Sequence, residues 1–97
     1  MLIWAIYDIQ SDRIRTRIVK ICKKAGLYRV QKSVFLGEIK TKSELDELVL
    51  ASKKTIDEEN DSVYIFPMCQ PDFKSVVLLG QAFDKELVTD EIKSKFF

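Results

Sequence analysis

The stretch Leu2–Asp8 is almost wholly apolar and ends in a single carboxylate. Bulky and aromatic residues without polar alternation are typical of a strand that is buried on both faces, at the centre of a sheet. Side chains alternate between the two faces of a strand. One face carries Leu2, Trp4, Ile6 and Asp8, and the other carries Ile3, Ala5, Tyr7 and Ile9. Asp8 is therefore a candidate site residue, with a simple turn residue as the alternative.

A helical pattern follows this strand. Either Ser11 or Asp12 can cap the helix, and Gly26 supplies its C-terminal stop. The apolar positions fall on one stripe: Ile14, Ile18, Ile21, Cys22 and Ala25. Four cations lie in a line beside that stripe: Arg13, Arg17, Lys20 and Lys24. The line begins one turn from Asp8, so a phosphodiester backbone that follows it would pass close to that carboxylate.

Residues 27–39 are rich in residues that favour extended structure, with a polar break at 31–33. We predict two short strands, at 28–31 and 34–39, and one long bulged strand is the alternative. A second helix is predicted from Ser43, which can form a capping box with Asp46, to about Glu59. Its inner face carries Leu45, Leu48, Val49, Ser52 and Ile56. Its outer face is acidic, with Glu44, Asp46, Glu47, Asp57, Glu58 and Glu59, and is not expected to contact nucleic acid.

The remaining pattern predicts more extended structure. Residues 61–69 are predicted to form a strand. Pro67 indicates that this strand lies at a sheet edge or is kinked there. A turn is expected at 70–72, a short strand at 76–79 and a last short strand at 87–88. The terminal Phe96 and Phe97 are expected to be buried by a partner subunit.

The order βαββαβ, with an extra C-terminal strand, is typical of the ferredoxin-like α+β fold, in which both helices cover one face of an antiparallel sheet. We predict a single domain over residues 1–97, in which residues from about 83 onward form an extension that contacts the partner. The second face of the sheet would be bare and apolar, which is unusual for a monomer. We therefore predict a sheet-to-sheet homodimer, in which the two Asp8 carboxylates approach each other if the axis passes near them.

Charge is unevenly distributed along the chain, although the net charge is only +1 at pH 7. Residues 1–42 carry ten Lys and Arg against three acidic residues, and residues 43–97 carry six against twelve. Arg has a planar fork that matches phosphate. A nucleic-acid-binding face is therefore predicted, with a solvated helix surface as the alternative. Its residues would be Arg13, Arg15, Arg17, Lys20, Lys24 and Arg29.

The composition, with 46% hydrophobic and 32% charged residues, is ordinary for a globular chain. Cys22 and Cys69 lack a CxxC spacing, and the chain has no histidine to complete a zinc site. We expect reduced thiols and a cytoplasmic protein. The apolar run at the N-terminus is too short to span a membrane and lacks a basic leader, so no membrane partner is expected.

The absence of histidine also limits the available chemistry. No His-based general base, no His-activated hydroxyl and no Gly-rich phosphate loop is present in the sequence. A water molecule activated by a metal ion remains as the candidate nucleophile. Mg²⁺ takes about six oxygen ligands, often only one or two of them protein carboxylates. One Asp8 from each chain of a dimer would meet that need. We expect a weakly held metal and modest hydrolysis, because a two-metal site needs more acids than cluster here.

Several segments together resemble the Cas-two family of small CRISPR-associated proteins. They are Tyr-Asp-Ile at 7–9, Asp-Arg-Ile-Arg-Thr-Arg at 12–17, Gly26, Gln-Lys-Ser-Val-Phe at 31–35, Asp-Ser-Val-Tyr-Ile at 61–65 and Leu-Gly at 79–80. The resemblance covers nearly the whole chain. It implies a ferredoxin-like homodimer with two connected roles: metal-dependent endonuclease activity on RNA or DNA, and bridging of two Cas-one integrase dimers that insert new spacers into a CRISPR array.

By position, the resemblance implies that Asp8 is the metal ligand and the catalytic acidic residue. Other matching positions around the cleft are Tyr7, Arg15, Arg17, Arg29, Ser33 and Phe35. The residue types themselves favour a core or dimer-interface role for Tyr7 and Phe35, and a turn role for Ser33. Three alternative functions stay open: a catalytically silent scaffold for duplex DNA, a toxin-like ribonuclease of the same fold, and a ligand-sensing module.

Overall fold

A computed structural model describes residues 1–80 of the chain. Its elements are β1 (Leu2–Asp8), α1 (Asp12–Lys24), β2 (Tyr28–Gln31), β3 (Val34–Glu38), α2 (Lys42–Thr55), β4 (Ser62–Met68) and α3 (Gln70–Ser75). The strands form one antiparallel sheet in the order β2-β3-β1-β4. This arrangement confirms the predicted ferredoxin-like α+β fold, with β1 inside the sheet.

The helix-covered face of the sheet holds the larger core. Ile3 and Ala5 of β1 have no exposed surface, and Phe35 of β3 lies among them. Ile18 and Leu48 bring α1 and α2 onto this layer. The predicted stripe of α1 is confirmed, because its members are either buried or packed against this core.

The opposite face of the sheet is partly covered by the chain itself, so the prediction that it is bare was wrong. Phe73 of α3 packs near Trp4, with ring centroids 6.0 Å apart, and Phe66 stacks with Trp4 at 6.2 Å. Leu2 belongs to the same cluster. Burial of these side chains within one chain reduces the apolar surface that a partner subunit would need to cover.

The helix α3 also replaces the turn predicted at 70–72. Pro71 lies in its first turn, where the missing N–H costs no helical hydrogen bond. The strand predicted at 76–79 is absent from the described residues: Val76 caps α3 through its N–H to the Phe73 carbonyl, at 3.2 Å. Val77 and Leu79 are 76% and 81% exposed.

Both ends of α1 follow the sequence signals. Ser11, rather than Asp12, is the N-cap, and its hydroxyl accepts the N–H of Ile14 at 3.4 Å. At the other end Gly26 has a φ of +89°, and the N–H of Leu27 reaches the Cys22 carbonyl at 3.1 Å. A glycine in the left-handed region ends a helix in this way at no steric cost.

The limits of α2 differ from the prediction. Its N-cap is Thr41, whose hydroxyl accepts the N–H of Glu44 at 3.1 Å, and not Ser43. The helix ends at Thr55, before the predicted Glu59, because Asp57 accepts hydrogen bonds from residues 59 and 60 and so favours a turn. Val49, predicted to face inward, is 44% exposed.

The strand predictions for 27–39 and 61–69 are confirmed in outline. Two strands, β2 and β3, flank the polar break, with a register irregularity between Arg29 and Gln31. β4 lies at an edge of the described sheet, as Pro67 indicates. The strand predicted at 87–88, the terminal Phe96 and Phe97 and the C-terminal extension lie outside residues 1–80. Within those residues, no helix has the length and apolar character needed to cross a membrane.

Candidate functional site

Asp8 is the last residue of β1, and its side chain is exposed. It lies opposite Ser62, the first residue of β4. The strand itself is buried, so the carboxylate stands where a rigid element meets solvent. In the part of the chain that the structure describes, no three His, Cys, Asp or Glu residues gather into a metal-binding group. Each chain therefore offers one carboxylate at this position.

The turn between β2 and β3 is fixed beside the end of β1. The N–H of Tyr7 donates to the Ser33 carbonyl at 3.0 Å. The Lys32 carbonyl accepts three hydrogen bonds: from the Tyr7 hydroxyl at 2.9 Å and from Nε and Nη2 of Arg29 at 3.1 and 2.8 Å. Tyr7 and Arg29 thus hold the β2–β3 turn in place. Because Tyr7 directly precedes Asp8, this turn is bonded to the residue next to the candidate site.

Three of the predicted cleft residues, Tyr7, Phe35 and Ser33, make local contacts within the fold. Tyr7 is only 3% exposed and its ring lies 6.4 Å from that of Phe35, which is completely buried. Ser33 is partly buried in the turn. The Lys32 carbonyl was missed by sequence reasoning, because a backbone acceptor leaves no residue-type signal.

The predicted basic line of α1 is present on the surface of the helix. Its members, Arg13, Arg17, Lys20 and Lys24, are all exposed. Arg15 is different: its Nη1 donates to the Ile9 carbonyl at 2.8 Å, and its Nη2 forms an ion pair with Asp12. Arg15 therefore holds the short β1–α1 loop, which contains residues 9–11, against the helix.

The family model for CRISPR associated protein Cas2 matches residues 1–76. The chain belongs to this family. The CRISPR-associated endoribonuclease Cas2 of Korarchaeum cryptofilum is 33% identical over 78% of this chain and 81% of that protein. The endoribonuclease Cas2 1 of Archaeoglobus fulgidus is 40% identical over 72% and 73% of the two chains. The resemblance drawn from the sequence is confirmed.

A solved Cas2 structure supports the same fold. The crystal structure of Streptococcus pyogenes Cas2 at pH 6.5 aligns with a TM-score of 0.66 and 26% identity, over 82% of this chain and all of that one. Its match over the full length of the solved chain places the described β1–β4 sheet within the Cas2 architecture.

The donor atoms of this Cas2 protein fit a Mg²⁺ ion that takes only one or two of its ligands from the protein. An exposed carboxylate on a rigid strand end supplies one hard oxygen, and Mg²⁺ commonly keeps several waters and takes further oxygens from substrate phosphate. Asp8 is the residue that would hold the ion. The predicted role of the α1 cations needs no metal, since guanidinium and ammonium groups bind phosphate directly.

One buried and one exposed side chain have shifted pKa values. Burial raises the pKa of the Cys22 thiol to about 11, so this cysteine stays protonated and unreactive at neutral pH. The Asn60 side-chain amide lowers the pKa of Asp57, with help from the Glu59 N–H. Neither group belongs to the Asp8 site.

We expect Tyr7→Phe to lower the free energy of unfolding by about 0.5–1.5 kcal/mol, because it removes one of the hydrogen bonds to the Lys32 carbonyl. Urea unfolding at equilibrium measures this change. Tyr64→Phe is the matched control, since Tyr64 is 63% exposed. Unchanged stability of Tyr7→Phe together with weaker nucleic-acid binding would instead make the hydroxyl a substrate contact.

Proposed function

We propose that this Cas2 protein is a Mg²⁺-dependent endonuclease on RNA or DNA, and a dimeric adaptor that holds duplex DNA for the Cas-one integrase during spacer integration. The observation that carries the proposal is the exposed Asp8 at the end of a buried strand, followed after a three-residue loop by a helix with a line of exposed cations. The relatives from K. cryptofilum and A. fulgidus carry the name endoribonuclease, which supports nuclease chemistry for this chain as well.

The chain's own residues divide the work of the proposed reaction. The α1 cations bind and orient the phosphodiester backbone and neutralise its charge. Asp8 holds the metal at a strand end whose neighbouring loops are fixed by hydrogen bonds. When bound, Mg²⁺ supplies an activated water for hydrolysis and polarises the phosphate.

Dimerisation through the second face of the sheet remains part of this proposal. Towards the Asp8 end that face carries Ile6, which is partly buried, and Tyr64, which is largely exposed. The apolar Val77 and Leu79 follow α3 in exposed positions. A second copy that covers this patch would remove apolar area from water and bring a second Asp8 to the same edge.

A catalytically silent scaffold is the alternative function, and one observation favours it. Within residues 1–80 Asp8 belongs to no group of three His, Cys, Asp or Glu residues, and such a site suits weak metal binding better than rapid hydrolysis. A toxin-like ribonuclease would use the same chemistry, and only the neighbouring genes would distinguish it. In all of these functions the proposed place of action is the cytoplasm, where nucleic acid is available.

The nucleic-acid face is tested by Arg17→Gln combined with Lys20→Gln. Each lost phosphate contact should reduce the slope of log affinity against log salt by about 0.9 on duplex DNA. The double variant should therefore bind more weakly and with less salt dependence than the wild type. Fluorescence anisotropy of a labelled duplex over a salt series measures both quantities.

The matched control is Lys53→Gln combined with Lys54→Gln, in the last turn of α2. It removes the same net charge from an exposed surface that is not proposed to contact DNA. Equal losses in the two double variants would mean that only the net charge matters, and the α1 face would be rejected as the binding site.

A further inference from the structure

The carboxylate of Asp61 joins the loop after Asp8 to the turn before β4. Its Oδ1 accepts the N–H of Gln10 at 3.1 Å, and its Oδ2 accepts the N–H of Asp57 at 3.1 Å. The N–H of Asp61 itself donates to the Asp57 carbonyl at 2.7 Å. Asp61 is partly buried, and it comes directly before Ser62, the residue that pairs with Asp8.

These bonds constrain the loop that follows Asp8. Pairing with Ser62 holds Asp8 itself, but only three residues, 9–11, separate β1 from α1. Gln10 lies in that loop, where neither the sheet ladder nor the helix supplies an acceptor for its N–H. The Asp61 carboxylate supplies it, and so sets the direction in which the chain leaves the strand end.

A carboxylate suits this place for a chemical reason. Both bonds come from backbone N–H donors, and an ionised carboxylate offers acceptors on both oxygens. An amide of the same size has one acceptor and one NH₂ group, which would face a donor. Asp61→Asn can therefore accept only one of the two N–H groups at a time, which weakens the hold on both Gln10 and Asp57 while the volume of the side chain is kept.

We propose that Asp61 is a positioning residue for Asp8: by bridging Gln10 and Asp57 it holds the β1–α1 loop in the conformation in which Asp8 binds metal and substrate together. The inference rests on the proposed nuclease function. Residues that hold a metal ligand in its orientation commonly contribute 10–100-fold to metal affinity or activity.

The test compares Asp61→Asn with Asp57→Asn. Asp57 lies in the same turn and its carboxylate accepts the Glu59 N–H and the Asn60 side chain, with no bond to the β1–α1 loop. Both variants lose one negative charge. The measurements are amide hydrogen exchange at Gln10, kcat and KM for cleavage of a labelled RNA, the Mg²⁺ concentration for half-maximal rate, and Tm.

For Asp61→Asn we expect exchange at Gln10 to be about tenfold faster, because a protecting hydrogen bond is lost. We expect kcat to fall by about tenfold and the required Mg²⁺ to rise, with KM for RNA little changed. Asp57→Asn should lower Tm, because it loses a hydrogen bond within the turn, but it should leave exchange at Gln10, kcat and the required Mg²⁺ near those of the wild type. Asp61→Glu, which keeps the carboxylate, should recover part of kcat. If Asp61→Asn does not fold, Asp61→Glu is compared with the wild type instead, and any change in its exchange at Gln10 should be matched by a change in kcat.

Two results would overturn the inference. Faster exchange at Gln10 with unchanged kcat would make Asp61 a brace for the fold alone, and unchanged exchange would mean that the bridge does not hold the loop. A wild-type protein that cleaves nothing at any Mg²⁺ concentration would overturn the proposed nuclease function itself, and the positioning role with it. That case is recognised by the wild-type assay before any variant is compared.

Discussion

Asp8→Asn should lower the rate of Mg²⁺-dependent cleavage by at least about 100-fold, since even supporting residues around a metal ligand commonly contribute 10–100-fold. Asparagine keeps the size of the side chain and one oxygen but loses the charge that a hard cation prefers. Because Asp8 is exposed and makes no contribution to the core, the variant should fold and bind duplex DNA as the wild type does. Cleavage of labelled single-stranded RNA and of duplex DNA, with binding measured on the same preparation, tests both statements.

Asp46→Asn is the control for this variant. Asp46 is exposed on α2, which lies on the helix-covered side of the sheet, and its loss changes the net charge by the same amount. Cleavage by Asp8→Asn at the wild-type rate would remove Asp8 from the reaction. A parallel loss of binding and cleavage would make Asp8 important for assembly or folding rather than for chemistry.

Phe35→Ala should lower the free energy of unfolding by about 3–5 kcal/mol, the range for removing a large aromatic side chain from a core. Phe35 has no exposed surface and is packed among residues of β1 and α1. Small domains have only about 5–15 kcal/mol of stability in total, so the variant should unfold at much lower urea concentrations. Equilibrium urea unfolding, followed by tryptophan fluorescence, measures the change.

The control for the core substitution is Leu50→Ala, because Leu50 on α2 is 52% exposed, lies outside the proposed dimer face and should tolerate truncation with little effect. The expected result would show that a position implied by the family resemblance to lie around the cleft acts through packing. If Phe35→Ala kept its stability and lost nucleic-acid affinity, Phe35 would have to be a stacking platform that opens in solution.

The strands and the first helix could be predicted from the sequence because their signals are local. The apolar run of Leu2–Asp8, the stripe of α1 and the glycine at position 26 each specify structure within a few residues. The errors arose where two local signals competed. Gln70-Pro71-Asp72 has the composition of a turn, but Pro71 is equally suited to the first turn of a helix, and burial of Phe73 against Trp4 favours the helix.

In the candidate site, the positions of side chains could be predicted from the sequence, but the contacts made by backbone groups could not. The exposed positions of Asp8 and the α1 cations could be predicted from residue type and spacing, and their roles stay predictions. The contacts that hold their surroundings could not, since the carbonyls of Lys32 and Ile9 and the N–H of Gln10 are backbone groups with no signature in the sequence. Arg15 and Arg29, which are predicted to contact phosphate, also donate to carbonyl oxygens in the structure, and their role toward phosphate stays a prediction.

The Mg²⁺ dependence of cleavage by the wild-type protein is the decisive measurement for the proposed function. Labelled RNA and duplex DNA are incubated over a Mg²⁺ series and with a chelator, and binding is measured under each condition. We predict cleavage that rises with Mg²⁺ and stops on chelation, while salt-sensitive binding through the α1 cations persists. Tight, salt-sensitive binding with no cleavage at any Mg²⁺ concentration would contradict the nuclease and identify a scaffold.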